Sequence, residues 1–343
     1  MTAFDELHRT ALALTTRGKG ILAADESTGT IEKRLKSIGV QCTEENRRAY
    51  RDLLFSTKGL SEFISGVILF DETLRQKDAG GTPFAEGLAA NGIIPGIKVD
   101  KGTVDLPGHP GEKVTQGLDG LAARFDEYRE LGARFAKWRA VLSISDDLPS
   151  AHAIEVNAHA LARYAAICQA QGLVPIVEPE VLMDGAHTLT RCAQVTEAVL
   201  QAVFDALHAH GVVLERMLLK PNMVVSGTEC PQQAPAAEVA AATLTCLRRT
   251  VPAAVPGIMF LSGGQTDETA TENLNAINAA DGAKPWALSF SYGRALQAPV
   301  LKAWRGEVAN VAAAQQALLK RARLNGAAQQ GTYHSPPNGK TAT

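Results

Sequence analysis

Eight short apolar segments, spread in order along the chain, constrain the fold more than any other feature of the sequence. Each is eight to ten residues long and rich in Val, Ile, Leu or Phe, which is typical of strands buried on both faces of a parallel sheet. The segments are KGILAADE (19–26), FISGVILFDE (63–72), IIPGIKVD (93–100), FAKWRAVLSI (135–144), LVPIVEPEV (173–181), MLLKPNMV (217–224), GIMFLSGG (257–264) and WALSFSYG (286–293).

The longer stretches between these segments carry apolar residues at helical spacing. Residues 151–172 and 191–211 each end at a glycine, and 235–251 has the same periodicity. Eight alternations of strand and helix predict an α/β protein with a (β/α)8 TIM barrel, and a doubly wound open sheet is the alternative. No linker rich in Pro, Gly or Ser interrupts the pattern. We therefore predict one catalytic domain over 1–330 and a flexible C-terminal tail over 331–343.

The charge balance and the cysteines restrict the setting in which the protein works. The 34 Lys and Arg residues face 36 Asp and Glu residues, so the surplus of cations that a nucleic-acid-binding protein needs is missing. The five cysteines lie far apart, which suits a reducing compartment. No stretch of about 20 apolar residues occurs, and acidic residues stand where a signal peptide needs Lys or Arg. We predict a cytoplasmic protein without nucleic-acid or membrane partners.

Charged residues stand at the carboxyl ends of the predicted strands, where chemistry gathers in a TIM barrel. Because strand side chains alternate between faces, Lys137 and Arg139 share one face, and Glu178 shares another with Glu180. If these faces point inward, the charges meet at one mouth. The alternative is a structural ion network inside the barrel. The charged positions are Asp25, Glu26, Asp71, Glu72, Lys98, Asp100, Lys137, Arg139, Glu178, Glu180 and Lys220.

This mixture of charges indicates Schiff-base chemistry. A lysine among other cations is more readily deprotonated, and its free amine can condense with a carbonyl while a glutamate moves protons. Lys98, Lys137 and Lys220 all fit this description, and Lys220 has the most apolar local sequence. The eight histidines are scattered and none lies on a predicted strand, so we expect neither a metal site nor another cofactor.

The ends of the last two predicted strands indicate phosphate binding, although ordinary glycine turns are the alternative. Their glycines, hydroxyls and guanidinium stand where this barrel commonly binds phosphate. Thr30, Lys33 and Arg34, at the start of a predicted helix, fit a second anion. The residues at the last two strand ends are Ser262, Gly263, Gly264, Ser291, Gly293 and Arg294.

Twelve segments resemble one known family in one continuous order, from about residue 5 to 325. They are GKGILAADES (18–27), TEENRR (43–48), GVILFDETL (66–74), GIKVDKG (96–102), TQGLDGL (115–121), FAKWR (135–139), PIVEPE (175–180), LLKPNMV (218–224), LRRTVP (247–252), FLSGGQ (260–265), NLNAIN (273–278) and FSYGRALQ (290–297). These segments resemble the class I (Schiff-base) fructose-1,6-bisphosphate aldolases, and the animal-type branch closely. The resemblance implies reversible aldol cleavage of a sugar bisphosphate in glycolysis and gluconeogenesis by a metal-independent, usually homotetrameric enzyme.

The resemblance also assigns roles to individual residues. Lys220 matches the Schiff-base lysine, and Glu178 matches the general acid and base. Asp25 and Lys137 match the pair that helps to break the carbon–carbon bond. The supporting residues that it implies are Glu180 and Arg139, and the implied substrate and phosphate contacts are Ser27, Thr30, Arg34, Lys98, Ser262, Gly263, Gly264, Ser291, Gly293 and Arg294.

One feature departs from the family, and two other functions compete with the one that it implies. Animal members end in a tyrosine that takes part in protonating the enamine, whereas the last tyrosine here is Tyr333. We therefore expect removal of residues 335–343 to leave turnover nearly unchanged. One competing function is a barrel enzyme that acts on another sugar phosphate without a covalent lysine. The other is a catalytically idle scaffold that binds regulatory or cytoskeletal partners.

Overall fold

Eight parallel strands close into a barrel in the computed structural model, which describes residues 3–334. The barrel order is β1, β2, β3, β6, β7, β8, β9 and β10, and β10 pairs with β1 to close it. Each predicted segment contains one barrel strand, so the TIM-barrel prediction is confirmed and the open sheet is wrong. The strands are β1 (Gly20–Ala24), β2 (Ile64–Leu69), β3 (Ile94–Lys98), β4 (Thr103–Asp105), β5 (Lys113–Thr115), β6 (Phe135–Leu142), β7 (Val174–Val181), β8 (Leu218–Leu219), β9 (Gly257–Phe260) and β10 (Ala287–Tyr292). The antiparallel pair β4 and β5 is an addition that the sequence analysis did not predict.

Helices connect the strands and cover the barrel. The three predicted helices correspond to α7, α8 and α9. Helix α8 begins at Leu189, two residues before its predicted start, because the Thr188 hydroxyl accepts a hydrogen bond from the Arg191 N–H at 3.2 Å. The α-helices of residues 3–334 are α1 (Ala3–Leu14), α2 (Thr28–Lys36), α3 (Glu44–Phe55), α4 (Asp71–Arg75), α5 (Phe84–Ala90), α6 (Leu121–Glu130), α7 (Ala151–Ala170), α8 (Leu189–Ala209), α9 (Ala236–Thr250), α10 (Asp267–Ala279), α11 (Arg294–Trp304) and α12 (Val311–Gln329). None of these helices is long and apolar enough to cross a membrane.

The interior of the barrel is apolar where the strands begin. Helix α1 contributes Leu7 and Leu14 to a buried cluster with Ile21 and Ile176 of the strands, so it closes that end of the barrel. Full burial of each such side chain contributes roughly 2 kcal/mol. A larger apolar layer lies between the barrel and its helices. The polar end of the barrel is therefore the end at which the strands finish.

The predicted tail begins at residue 331, and its first residues still contact the barrel. The side chain of Tyr333 is buried, and its backbone N–H donates to Oδ1 of Asn275 at 2.9 Å. Residues 335–343 lie outside the described part of the chain, so flexibility there, and the effect of removing them, stay predictions.

Candidate active site

A cavity of about 980 Å³ opens at the carboxyl ends of the barrel strands. The sequence analysis also named Lys33 for the second anion, but Lys33 is exposed and does not line the cavity. All sixteen residues that the family resemblance implied as site residues do line it. They are Asp25, Ser27, Thr30, Arg34, Lys98, Lys137, Arg139, Glu178, Glu180, Lys220, Ser262, Gly263, Gly264, Ser291, Gly293 and Arg294. The strand ends, with the loops and helices that follow them, therefore bring these residues to one place.

Lys220 lies at the bottom of this cavity, directly after the two-residue strand β8. Its backbone N–H donates to the carbonyl of Val177 at 2.8 Å, which fixes its position beside β7. Its Nζ lies 3.1 Å from Oε1 of Glu178, and each side chain is 5% exposed. Within residues 3–334, Glu178 is the only carboxylate at ion-pair distance from Lys220. One defined acceptor is thus available for a proton from this amine.

A second lysine approaches the other oxygen of the same glutamate. Lys137 Nζ lies 3.2 Å from Oε2 of Glu178 and 2.7 Å from Oδ2 of Asp25. Oε2 of Glu178 is buried, and no group of the described chain donates a hydrogen bond of good geometry to it. This oxygen consequently keeps lone pairs free beside a permanent positive charge.

Asp25 and Lys137 hold each other in their charged forms. Burial alone would raise the pKa of Asp25, but the charges of Lys137, Lys220 and Lys98 outweigh it and hold that pKa well below its usual range. Burial alone would lower the pKa of Lys137, but Asp25, Glu178 and Asp100 raise it well above the usual value. Lys137 is therefore held as a cation, which disfavours it as the nucleophilic amine.

Lys98 is also committed to an ion pair. Its Nζ lies 2.6 Å from Oδ1 of Asp100 and donates to the Asp100 carbonyl at 2.9 Å. The sequence left three lysines as candidates for the nucleophile. Lys220 differs from the other two because its one ion-pair partner within residues 3–334 is Glu178, the candidate acid and base. The geometry supports Lys220 as the nucleophile.

Arg139 and Glu180 form an ion pair beside Glu178 and do not contact Lys220 directly at ion-pair distance within residues 3–334. Arg139 Nε donates to Oε2 of Glu180, and although burial would lower the pKa of Arg139, Glu180 keeps it above the usual value. The Arg139 backbone N–H also reaches Oδ2 of Asp100 at 3.4 Å. Arg139 lies directly opposite Glu178 in the β6–β7 register. The ion pair of Arg139 and Glu180 therefore joins β6 to β7 beside Glu178.

The loop after β9 and the end of β10 form the first anion subsite. Ser291 is buried, and its Oγ has no hydrogen-bond partner in the described chain. Gly264 has a φ of +74°, a left-handed backbone conformation that favours glycine, and a Cβ on Gly263 would lie 2.8 Å from Oε1 of Glu180, so a larger residue there would displace that carboxylate. Arg294 begins α11 directly after Gly293. The unpaired hydroxyl of Ser291, the backbone of the two glycines and the guanidinium of Arg294 together suit a phosphate.

A second anion subsite lies at the start of α2. Ser27 is the residue before the helix, and its hydroxyl makes no capping hydrogen bond but lies 3.3 Å from that of Thr30. Arg34 follows on the same helix, and Lys98 lies on β3. All four line the cavity. A helix N-terminus with two hydroxyls and two cations attracts a second anion.

Several cavity residues escaped the sequence-based set. Glu26 and Asp100 were named among the strand-end charges and do line the cavity, but the sequence analysis assigned them no role there. Asp71 and Glu72 begin α4 instead of ending β2. Asp71 still lines the cavity, whereas Glu72 does not and pairs with Arg47, with 2.6 Å between Oε2 and Nη2. Further lining residues carried no strand-end signal and are Arg75, Lys101, Arg124, Glu127 and Tyr128.

A closed parallel barrel with a buried lysine and glutamate at its mouth defines a (β/α)8-barrel enzyme with its site at the strand ends. Comparison with known proteins narrows this class. The family model described as fructose-bisphosphate aldolase class-I matches residues 6–343, and the chain belongs to that family. The resemblance found in the sequence segments is thereby confirmed.

Individual relatives agree along almost their whole length. The chain is 58% identical over 332 residues to a probable fructose-bisphosphate aldolase class 1 of Xanthomonas axonopodis pv. citri, covering 96% of this chain and 99% of the relative. It is 59% identical to cytoplasmic isozyme 2 of Pisum sativum fructose-bisphosphate aldolase, covering 97% of this chain and 93% of the relative. A solved structure of the Plasmodium falciparum fructose-bisphosphate aldolase, in complex with TRAP and a small-molecule inhibitor, has a TM-score of 0.96 and 56% identity, covering 97% and 96%.

Proposed function

We propose that this protein catalyses the reversible aldol cleavage of fructose 1,6-bisphosphate to dihydroxyacetone phosphate and glyceraldehyde 3-phosphate, through a Schiff base on Lys220, in glycolysis and gluconeogenesis. The observation that carries the proposal is the buried contact of 3.1 Å between Lys220 Nζ and Oε1 of Glu178. Membership of the class-I aldolase family supports the substrate and the reaction.

The first half of the reaction forms the Schiff base. Lys220 transfers a proton to Glu178, and the free amine attacks the ketone carbon of the open-chain sugar to give a carbinolamine. Glu178 then returns the proton to the departing hydroxyl, which leaves as water. The product is a cationic iminium, and Glu178 is again a carboxylate beside it.

The second half breaks the bond between C3 and C4. A base removes the proton of the C4 hydroxyl, the C3–C4 electron pair moves toward the iminium nitrogen, and an enamine and glyceraldehyde 3-phosphate result. We assign the base to Glu178, because the depressed pKa of Asp25 makes it a weak proton acceptor. Asp25 orients the hydroxyl, and the Lys137 cation stabilises the negative charge that develops on its oxygen. The proton held by Glu178 then passes to C3 of the enamine, and water releases dihydroxyacetone phosphate and Lys220.

The two phosphates bind away from the reacting bond and hold it in place. The subsite of Ser262, Ser291 and Arg294 takes the phosphate of the dihydroxyacetone half. The subsite of Ser27, Thr30 and Arg34 takes the other phosphate. Binding energy from both ends fixes the ketone carbon against Lys220.

The cellular setting and the assembly are part of the proposal. We infer that the enzyme works without metal or other cofactor, because class-I aldolases use the lysine iminium as the electron sink. Relatives from Pisum sativum and Arabidopsis thaliana are named cytoplasmic or cytosolic, which supports a cytoplasmic location. A homotetramer is proposed on the family resemblance alone, and sedimentation of the purified protein tests it.

Borohydride trapping tests the covalent step. The protein is mixed with dihydroxyacetone phosphate, borohydride and a chelator, and its peptides are mapped by mass. We expect a reduced adduct on Lys220, loss of activity and no effect of the chelator, and no adduct with Lys220→Arg. An adduct on Lys137 or Lys98 would overturn the assignment of the nucleophile. Activity that depends on metal, or that persists in Lys220→Arg, would overturn the Schiff-base mechanism itself.

A further inference from the structure

A buried ion cluster lies directly behind the second anion subsite. Its centre is Glu26, which follows β1 and is almost inaccessible to solvent. Oε2 of Glu26 accepts a hydrogen bond from Arg51 Nη2 at 2.7 Å. Oε1 accepts one from Gln297 Nε2 at 2.8 Å and another from Arg34 Nη1. The partners come from α3, α11 and α2, so the cluster ties three helices to the end of β1.

The two arginines differ in their access to the cavity. The side chain of Arg34 is 23% exposed and lines the cavity, whereas that of Arg51 is 3% exposed and does not line it. The cluster holds one carboxylate and two guanidiniums, so it carries one net positive charge. Arg51 does not line the cavity, so Arg34 is the arginine of this cluster that can contact a ligand there.

A pair of Arg34 and Glu26 alone would be neutral and would attract phosphate poorly. With Arg51 on the far side of Glu26, the carboxylate can hold Arg34 in place without cancelling its charge. We propose that Arg51 is a positioning residue for substrate binding: it neutralises Glu26 from behind, so that Arg34 presents its charge to the phosphate of the glyceraldehyde 3-phosphate half. This inference rests on the proposed function, because it requires a substrate with a phosphate at that end.

The surroundings of Glu26 fix the geometry that this role requires. Gln297 Nε2 also donates to the carbonyl of Ala23 at 2.8 Å, and its Oε1 accepts a hydrogen bond from Tyr50 Oη at 3.0 Å. Tyr50 stacks on the ring of Trp304, with 5.3 Å between ring centroids. The carboxylate is therefore held on a rigid support, and removal of Arg51 would change charge more than position.

Substrates with and without the second phosphate separate this role from a structural one. In Arg51→Met, we expect KM for fructose 1,6-bisphosphate to rise about tenfold, the size of one lost electrostatic contact. KM and kcat for fructose 1-phosphate, which lacks that phosphate, should stay within about twofold of wild type. Arg51→Gln keeps a hydrogen-bond donor for Glu26 but removes the charge, so it should show the same KM changes as Arg51→Met. It replaces Arg51→Met in the experiment if that variant does not fold.

Charge compensation gives the sharper test. The double variant Glu26→Gln with Arg51→Met removes one charge of each sign and restores one net positive charge at Arg34. We expect the KM of this double variant for the bisphosphate to return to within about threefold of wild type. Arg51→Lys, which keeps the positive charge, should also have a KM within about threefold of wild type. A double variant as impaired as Arg51→Met, or equal KM increases for both substrates, would overturn the role of Arg51. Failure of the wild-type protein to cleave either substrate would instead refute the proposed function.

Discussion

Lys220 Nζ lies 3.1 Å from Oε1 of Glu178, and both side chains are almost completely buried. A proton that moves between them stays inside the cavity, where water competes little for either group. Lys137 lies 3.2 Å from the other oxygen of Glu178 and stays a cation. The glutamate can therefore accept a proton from one neighbour while the other neighbour keeps its charge constant.

Replacement of Glu178 by Gln tests its role as the proton carrier. The amide keeps the size of the side chain but cannot accept a proton, so we expect kcat to fall by about 10²- to 10⁴-fold with little change in KM. Steady-state cleavage assays measure both constants. Glu112→Gln is the matched control, because Glu112 is also buried but receives hydrogen bonds from Ser150 outside the cavity. Loss of turnover in both variants alike would contradict the assignment.

Replacement of Lys137 by Met tests the ion pair through the pH dependence of stability. The depressed pKa of Asp25 stabilises the fold above its ordinary value of 3.8, and this contribution disappears as the pH falls through the depressed value. The raised pKa of Lys137 stabilises the fold below its ordinary value of 10.5. Both contributions are present at pH 7, where we expect Lys137→Met to lower the free energy of unfolding by about 3 kcal/mol.

The difference between wild type and Lys137→Met should shrink in strong acid, because Asp25 becomes protonated there. Urea unfolding from pH 2 to pH 9 measures it, with Lys137→Arg as the variant that keeps the charge. A difference that does not change with pH would show that the lysine contributes packing rather than charge.

The apolar segments allowed the whole barrel to be predicted, because strands buried on both faces need continuous apolar runs. β6 and β7 show this: every residue of both is buried except Arg139, which is half-buried beside Glu180. The alternation of side chains then places Glu178 and Glu180 on the cavity side. The same logic could not find β4 and β5, since each has three residues with a single valine, too few to form a continuous apolar run.

The ion cluster of Glu26 also escaped prediction, for a different reason. Arg51 lies on α3, 25 residues away in sequence, and nothing in the periodicity of that helix distinguishes a buried arginine from an exposed one. Gln297 is still further away. Contacts that depend on how a helix packs against a strand end require the tertiary structure.

Ser291 and Ser289 lie on the same face of β10 but should respond in opposite ways to replacement by Ala. The Ser291 hydroxyl has no hydrogen-bond partner within residues 3–334, so its removal should leave the melting temperature unchanged or raise it slightly, while KM for fructose 1-phosphate rises about tenfold. The Ser289 hydroxyl donates to the carbonyl of Lys19 at 2.6 Å, so its removal should cost roughly 1 kcal/mol of stability without affecting KM. Thermal unfolding and steady-state kinetics on both variants measure this contrast. Equal KM values in the two variants would argue against phosphate binding at Ser291.

Gly96 and Phe135 test the packing inside the barrel, where β3 and β6 pair. A Cβ on Gly96 would lie 2.3 Å from the ring of Phe135, which is completely buried. We expect Gly96→Ala to lower the free energy of unfolding by about 1–3 kcal/mol. Gly87→Ala is the control, because a Cβ there would have open space beyond its own helix turn among residues 3–334, and α5 should gain stability from the loss of a glycine.

Combining Gly96→Ala with Phe135→Leu identifies the cause of the destabilisation. The smaller side chain makes space for the new methyl group, and the methyl group fills part of the space that the ring leaves. The double variant should therefore lose at least about 1 kcal/mol less stability than the sum of the two single variants. Urea unfolding of the four proteins measures this coupling. Strictly additive losses would show that contact with Phe135 does not set the limit.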